Sequence, residues 1–173
     1  RHRARLSVRE VAKKGTVLVG FHEKRSSFIA DMKSCEILPK RVSDLLVPLR
    51  ELINSLSLRK KLPQIELAVT DEALALVLRV LEKPTADDEA KLRQFQKDYG
   101  VDFWYQPKGP DSIYPMDPEN AARLKLHHRE TGVEVVFRPT DFTQVNHRLN
   151  EVMVTRALRL LHLEPSSKVI DFF

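Results

Sequence analysis

The chain has 173 residues, a 42% apolar share and a formal net charge of +5, enough for one domain with a proper core and part of a second. That apolar share argues against wholesale disorder. No apolar run approaches the roughly 18 residues of a membrane span, and RHRARLSVRE lacks the apolar stretch of a signal peptide.

In chain order, Arg3 to Glu10 alternates as a strand, with Ala4, Leu6 and Val8 on one face and Arg3, Arg5, Ser7 and Arg9 on the other. Lys13-Lys14-Gly15 predicts a hairpin turn into a second strand, Thr16 to His22, and Ser26 to Met32 reads as a third. Val42 to Leu56 carries helical apolar spacing interrupted at Pro48, so a short turn and then a helix beginning near that proline are expected. Ile65 to Thr70 and Ala73 to Leu81 form two paired strands around Asp71-Glu72. Thr85 caps a helix ending at Gly100, with Asp87, Asp88 and Glu89 at its positive end.

Val101 to Gln106 is strand-forming, and Lys108 to Asn120 is loop-rich in Pro, Gly, Asp and Asn. Arg123 to His128 and Val133 to Arg138 predict a hairpin around Thr131-Gly132. Asn146 then caps a helix expected to bury Leu149, Val152, Met153, Ala157, Leu160 and Leu161. After Pro165, KVIDFF (168–173) reads as a buried strand. The fold class expected is α+β: a mainly antiparallel sheet with flanking helices over 1–138, followed by a new unit from 139.

No complete catalytic constellation is visible. His127 and His128 on a strand point to opposite faces, and helix capping accounts for the carboxylates at 87–89. Two segments have functional potential. The arginines of RHRAR (Arg1, Arg3, Arg5) are spaced to follow a phosphate backbone, or else defend an exposed strand edge. In FRPTDFTQVN, Phe142 can stack on a base, and Gln144 and Asn146 carry amides for a polar ligand. A linker reading, with a packed aromatic and a capping Asn, competes with it. The basic N-terminal third suits a polyanion or is a solvated face, with the two readings level on charge alone. A lone cysteine, Cys35, excludes an internal disulfide framework and by default is a small buried residue.

Together, RHRARLS, GFHEKRSSFIADMKSCEIL, FRPTDFTQVN, NHRLNEVMVTRAL and KVIDFF resemble the S-adenosylmethionine-dependent RNA uracil-5-methyltransferases, nearest the bacterial members acting on 23S ribosomal RNA. The resemblance implies residues 1–138 as most of a central α+β domain that carries a 4Fe-4S cluster. It implies residues 139–173 as the first helix and strand of a Rossmann-like methyltransferase domain. It further implies that Cys35, in D-x-K-x-C, is one cluster ligand, the other three lying upstream, and that Gln144 contacts the methyl donor. Phe142 falls near the target uracil and Arg1, Arg3 and Arg5 on the RNA-facing strand, Arg5 foremost.

The implied chemistry is covalent catalysis on a flipped uracil. A thiolate adds to C6, C5 takes the methyl group, and a base removes the C5 proton; both groups lie beyond Phe173. Implied partners are S-adenosylmethionine and 23S rRNA, with no membrane, no DNA, a cytoplasmic location and a monomeric full-length enzyme. The missing initiator Met and the abrupt stop at Phe173 lead us to expect an inactive piece of a longer protein. A non-catalytic basic RNA-binding module, or a relative acting on transfer RNA or another ribosomal site, is the competing expectation.

Overall fold

The computed structural model describes every residue except Asn120, Ala122, Asp171 and Phe173, together with all side chains of the elements but that of Lys14. Alternation along 3–11 makes β1 (Arg3–Val11), and Gly15, at φ +61°, turns the chain into β2 (Thr16–Gly20). A short α1 (Lys40–Ser43) precedes α2 (Leu46–Ser55), which accommodates Pro48 in its first turn, where no intrahelical N–H is required. The hairpin β3 (Gln64–Val69) and β4 (Leu74–Arg79) follows, then α3 (Ala86–Tyr99), β5 (Asp102–Gln106) and a two-residue β6 (Tyr114–Pro115).

These strands form one sheet in the order β2-β1-β3-β4-β5-β6. Every pair is antiparallel except β4–β5, which α3 joins as a crossover. The α+β, mostly antiparallel expectation is met. One sheet face, with Leu6, Val17, Ile65, Leu67, Leu76 and Phe103, packs under α2 and α3 as the main core. The opposite face carries a smaller cluster of Ala68, Ala73 and Ala75, which Leu124 covers. Leu124 belongs to a separate hairpin, β7 (Leu124–His128) with β8 (Val133–Phe137).

Three expectations differ from what is found. Ser26 to Met32 is not a strand: a single antiparallel bridge, His22–Ile29, ties off a small loop. The chain turns there because Ser26 N–H donates to the Glu23 carbonyl and Arg25 takes the left-handed conformation at φ +55°. Gly20 permits the return, since a β-carbon on it would stand 2.8 Å from the Ala30 carbonyl oxygen.

The last helix, α4 (His147–Leu161), is capped as expected, Asn146 Oδ1 accepting from Leu149 N–H at 3.1 Å. Its apolar stripe is nevertheless exposed, including Leu149, Val152, Met153, Leu160 and Leu161. The helix turns its polar side to the β7–β8 hairpin instead. Glu151, Thr155 and Arg159, spaced four apart, meet Arg129 N–H, the His128 ring and Glu130. Lys168 to Ile170 form no strand; Asp171 and Phe173 lie outside the described residues.

Candidate functional site

Phe137 ends β8 and the chain turns through Arg138-Pro139-Thr140-Asp141. Asp141 N–H closes the turn on the Arg138 carbonyl at 2.9 Å, with proline at the second position, where its fixed φ suits the bend. The Asp141 carboxylate grips Arg138 in return. It accepts the backbone N–H at 2.7 Å and the guanidinium at 3.0 and 3.1 Å. Those bonds, the backbone one foremost, hold the Asp141 carboxyl below the usual range.

A second clamp comes from β1. Arg3 donates to the Asp141 carbonyl, to the Thr140 carbonyl at 2.9 Å and to Glu66 at 2.8 Å. Glu66 is only 8% exposed and also meets Arg5 at 3.3 Å. Arg3 and Arg5 therefore differ in kind. The Arg3 side chain is 14% exposed and engaged in holding a turn, whereas that of Arg5 is 65% exposed and reaches solvent. Arg1 is exposed. The arginine row expected to face a polyanion thus contains one structural member.

The clamped turn delivers Phe142 and Gln144 to the surface, Phe142 at 84% exposed. Both line a groove of about 1840 Å³ between α4 and the β7–β8 hairpin. His2 and His147 lie along it, stacked with ring centres 4.3 Å apart. Burial, reinforced by His2, lowers the His147 pKa to about 4, so this imidazole is neutral near pH 7. The His2 Nδ1 is buried without a hydrogen-bond partner. The groove mixes Lys125, Arg129 and Arg148 with Asp71, Glu72 and Glu151, so it is no basic channel. Its chemistry is that of recognition, through an exposed π-face and an amide that both donates and accepts.

Cys35 lies on the far stretch of the 21–37 loop, half-buried against the main core. Its N–H donates to Ser43 Oγ at 2.7 Å, and Arg50 fixes the preceding residues through Asp31 at 2.6 Å and the Met32 carbonyl at 2.9 Å. Among the described residues no group of three or more His, Cys, Asp or Glu could hold a metal ion. The residues present therefore do not by themselves fit an iron–sulfur cluster, since one thiolate is a ligand and not a site.

Sequence reading missed Glu66 and the histidine pair. A lone acid inside the apolar run IELAV, on the strand next to alternating arginines, was the available signal for Glu66.

No family model matches the chain. All 173 residues nevertheless align with proteins of one kind, the uracil-C5 methyltransferases of ribosomal RNA, so the chain is homologous throughout to a segment of such enzymes. The relatives are named 23S rRNA (uracil(1939)-C(5))-methyltransferase RlmD. That of Cupriavidus necator is 57% identical, that of Burkholderia lata 58% and that of Ralstonia pickettii 56%, each over the whole chain. The chain spans 39%, 37% and 38% of their respective lengths. No described helix is long and apolar enough to cross a membrane.

Proposed function

We propose that this chain serves as the middle of an enzyme that transfers a methyl group from S-adenosylmethionine to C5 of a uridine in 23S rRNA. The observation that carries this reading is the rigidly clamped turn presenting Phe142 and Gln144 on an open groove, in a chain homologous throughout to such enzymes. Residues 1–138 form the central domain and 139–173 open the Rossmann-like methyltransferase domain. The exposed stripe of α4 suits a helix whose apolar side belongs against that domain. Location is cytoplasmic, the substrate is RNA and not DNA, and the working enzyme is a monomer.

In this reading Phe142 lies beside the target base, Arg1 and Arg5 approach the RNA, and Gln144 hydrogen-bonds the methyl donor. The nucleophile that adds to C6 and the base that removes the C5 proton are assigned to no residue of this chain. Methyl transfer by the longer protein to 23S rRNA lacking the modification, with the product mapped, tests the whole; no methylated uridine means the reading is wrong. Gln144→Ala weakens S-adenosylmethionine binding by about 3- to 10-fold, the scale of one lost hydrogen bond. Titration calorimetry showing unchanged affinity removes Gln144 from the site.

Cys35 is proposed as this segment's single contribution to a 4Fe-4S ligand set, supported by the bond from its own N–H to Ser43 Oγ and by the hold of Arg50 on Asp31 and Met32 just before it. Cys35→Ser in the longer protein is expected to lower bound iron. Iron content equal to that of the unaltered protein returns Cys35 to the role of a packing residue.

A further inference from the structure

The loop that replaces the expected third strand carries a second exposed aromatic. Phe28 is 69% exposed at the tip of the turn closed by the His22–Ile29 bridge. It is held there, not trailing: its N–H donates to Ser26 Oγ at 3.0 Å and its carbonyl accepts from Glu23 N–H at 3.0 Å. Lys24 and Arg25 are exposed on the same tip. Arg9 donates to the Ser27 carbonyl at 2.7 Å, which fixes the tip against the end of β1.

β1 thereby runs between two presented rings. At its start Arg3 holds the turn before Phe142, and at its far end Arg9 holds the turn before Phe28. Arg5 and Arg9 lie between them on one face, because side chains alternate along a strand. Six residue steps at about 3.3 Å put the two clamps roughly 20 Å apart. Aromatic faces joined by a line of cations are the arrangement that binds single-stranded nucleic acid, where bases stack and phosphates follow the charges. The acids along this path are accounted for: Glu66 is engaged by Arg3 and Arg5, Glu10 beside Arg9 is paired with Arg59 and Lys60, and Glu23 stands at the base of the turn.

We infer that Phe28 is a base-stacking platform for single-stranded RNA, at the opposite end of the β1 arginine row from Phe142. The inference rests on the RNA reading above and adds to it a second anchoring point several nucleotides from the target. Such an anchor sets how the strand is threaded across β1.

The test uses the full-length protein carrying Phe28→Ala, Phe28→Tyr or Phe142→Ala. Each is titrated with an unmodified single-stranded fragment of 23S rRNA and with an oligouridylate of equal length. Phe28→Ala is expected to weaken binding of both RNAs roughly tenfold, the scale of one lost stack. Phe28→Tyr restores it, and neither variant moves the thermal midpoint, because the ring contributes little buried surface. If Phe28→Ala binds normally while Phe142→Ala does not, the platform is overturned and the RNA reading stands. If both bind normally and the unaltered protein methylates no uridine, both fall. A change in oligomeric state in Phe28→Ala with RNA affinity intact makes the ring a protein contact and also overturns the proposal.

Discussion

Asp88→Ala is expected to destabilise the protein by roughly 2–4 kcal/mol, an effect of several degrees on the thermal midpoint. Asp88 is fully buried and serves two elements at once. At the start of α3 it completes the capping box with Thr85, receiving that residue's N–H at 3.1 Å and returning its own N–H to Thr85 Oγ1 at 3.2 Å. Across the core it accepts Ser57 N–H at 2.7 Å and Ser57 Oγ–H at 2.6 Å, fixing the turn that follows α2. Alanine removes a cap and deletes the one buried carboxylate that Ser57 and Thr85, themselves exposed residues, both bond. Hydrogen bonds to a charged acceptor contribute more than an average one, so losing the set is costly even where water replaces part of it.

The same carboxylate predicts an acid limb. Burial pushes the Asp88 pKa up, but the hydrogen bonds from Ser57 and then Thr85 outweigh it, and the net displacement is downward. A carboxyl whose folded pKa lies below its unfolded value stabilises the fold above about pH 3.9. That stability is lost as the pH falls through the folded value. In Asp88→Asn this contribution is absent at every pH, so the acid loss of stability becomes shallower. An acid limb identical to that of the unaltered protein means Asp88 is not ionised in the fold.

Much of this architecture is legible in the sequence because it is written in local rules. The alternation of 3–10, the pairing of IELAV with ALALVLR and the Thr85–Asp88 box each specify one element, and each is found. What is not legible depends on remote surfaces. The 26–32 segment has strand-like residues, yet the turn at Glu23–Ser26 redirects it and the absence of a side chain on Gly20 leaves room for the Ala30 carbonyl on its return. The stripe of α4 is as apolar as a buried stripe should be, but no apolar surface among the described residues meets it, and polar contacts orient the helix instead. At the site, spacing put Arg3 and Arg5 on one face, as observed, while nothing local could say that Glu66 pairs with both and leaves one a part-buried clamp and the other a largely exposed cation.

That division leads to the second large effect, Glu66→Ala. Glu66 and Arg3 form a nearly buried pair at 2.8 Å, and truncating one partner strands the other's charge away from water. A loss of about 2–4 kcal/mol is expected, below the range for a fully buried pair because Arg3 keeps its two carbonyl acceptors. The functional consequence follows from what Arg3 holds. Without Glu66 the guanidinium is no longer oriented toward Thr140 and Asp141, and the turn that presents Phe142 and Gln144 loosens. Amide exchange over residues 140–144 therefore quickens in Glu66→Ala, and under the function proposed above donor and RNA affinity of the longer protein fall together.

Arg3→Ala should reproduce both effects, and the Glu66→Ala/Arg3→Ala double variant should cost clearly less than the two single losses added, since the pair shares one interaction. Arg5→Ala separates the roles. Its contact with Glu66 is long, at 3.3 Å, and its own side chain is largely exposed, so it contributes little to stability. It should leave the thermal midpoint almost unmoved while weakening RNA binding and reducing the salt slope by about one. Additive Glu66 and Arg3 losses, or exchange at 140–144 no faster than in the unaltered protein, would show that the turn is held by Asp141 and Arg138 alone.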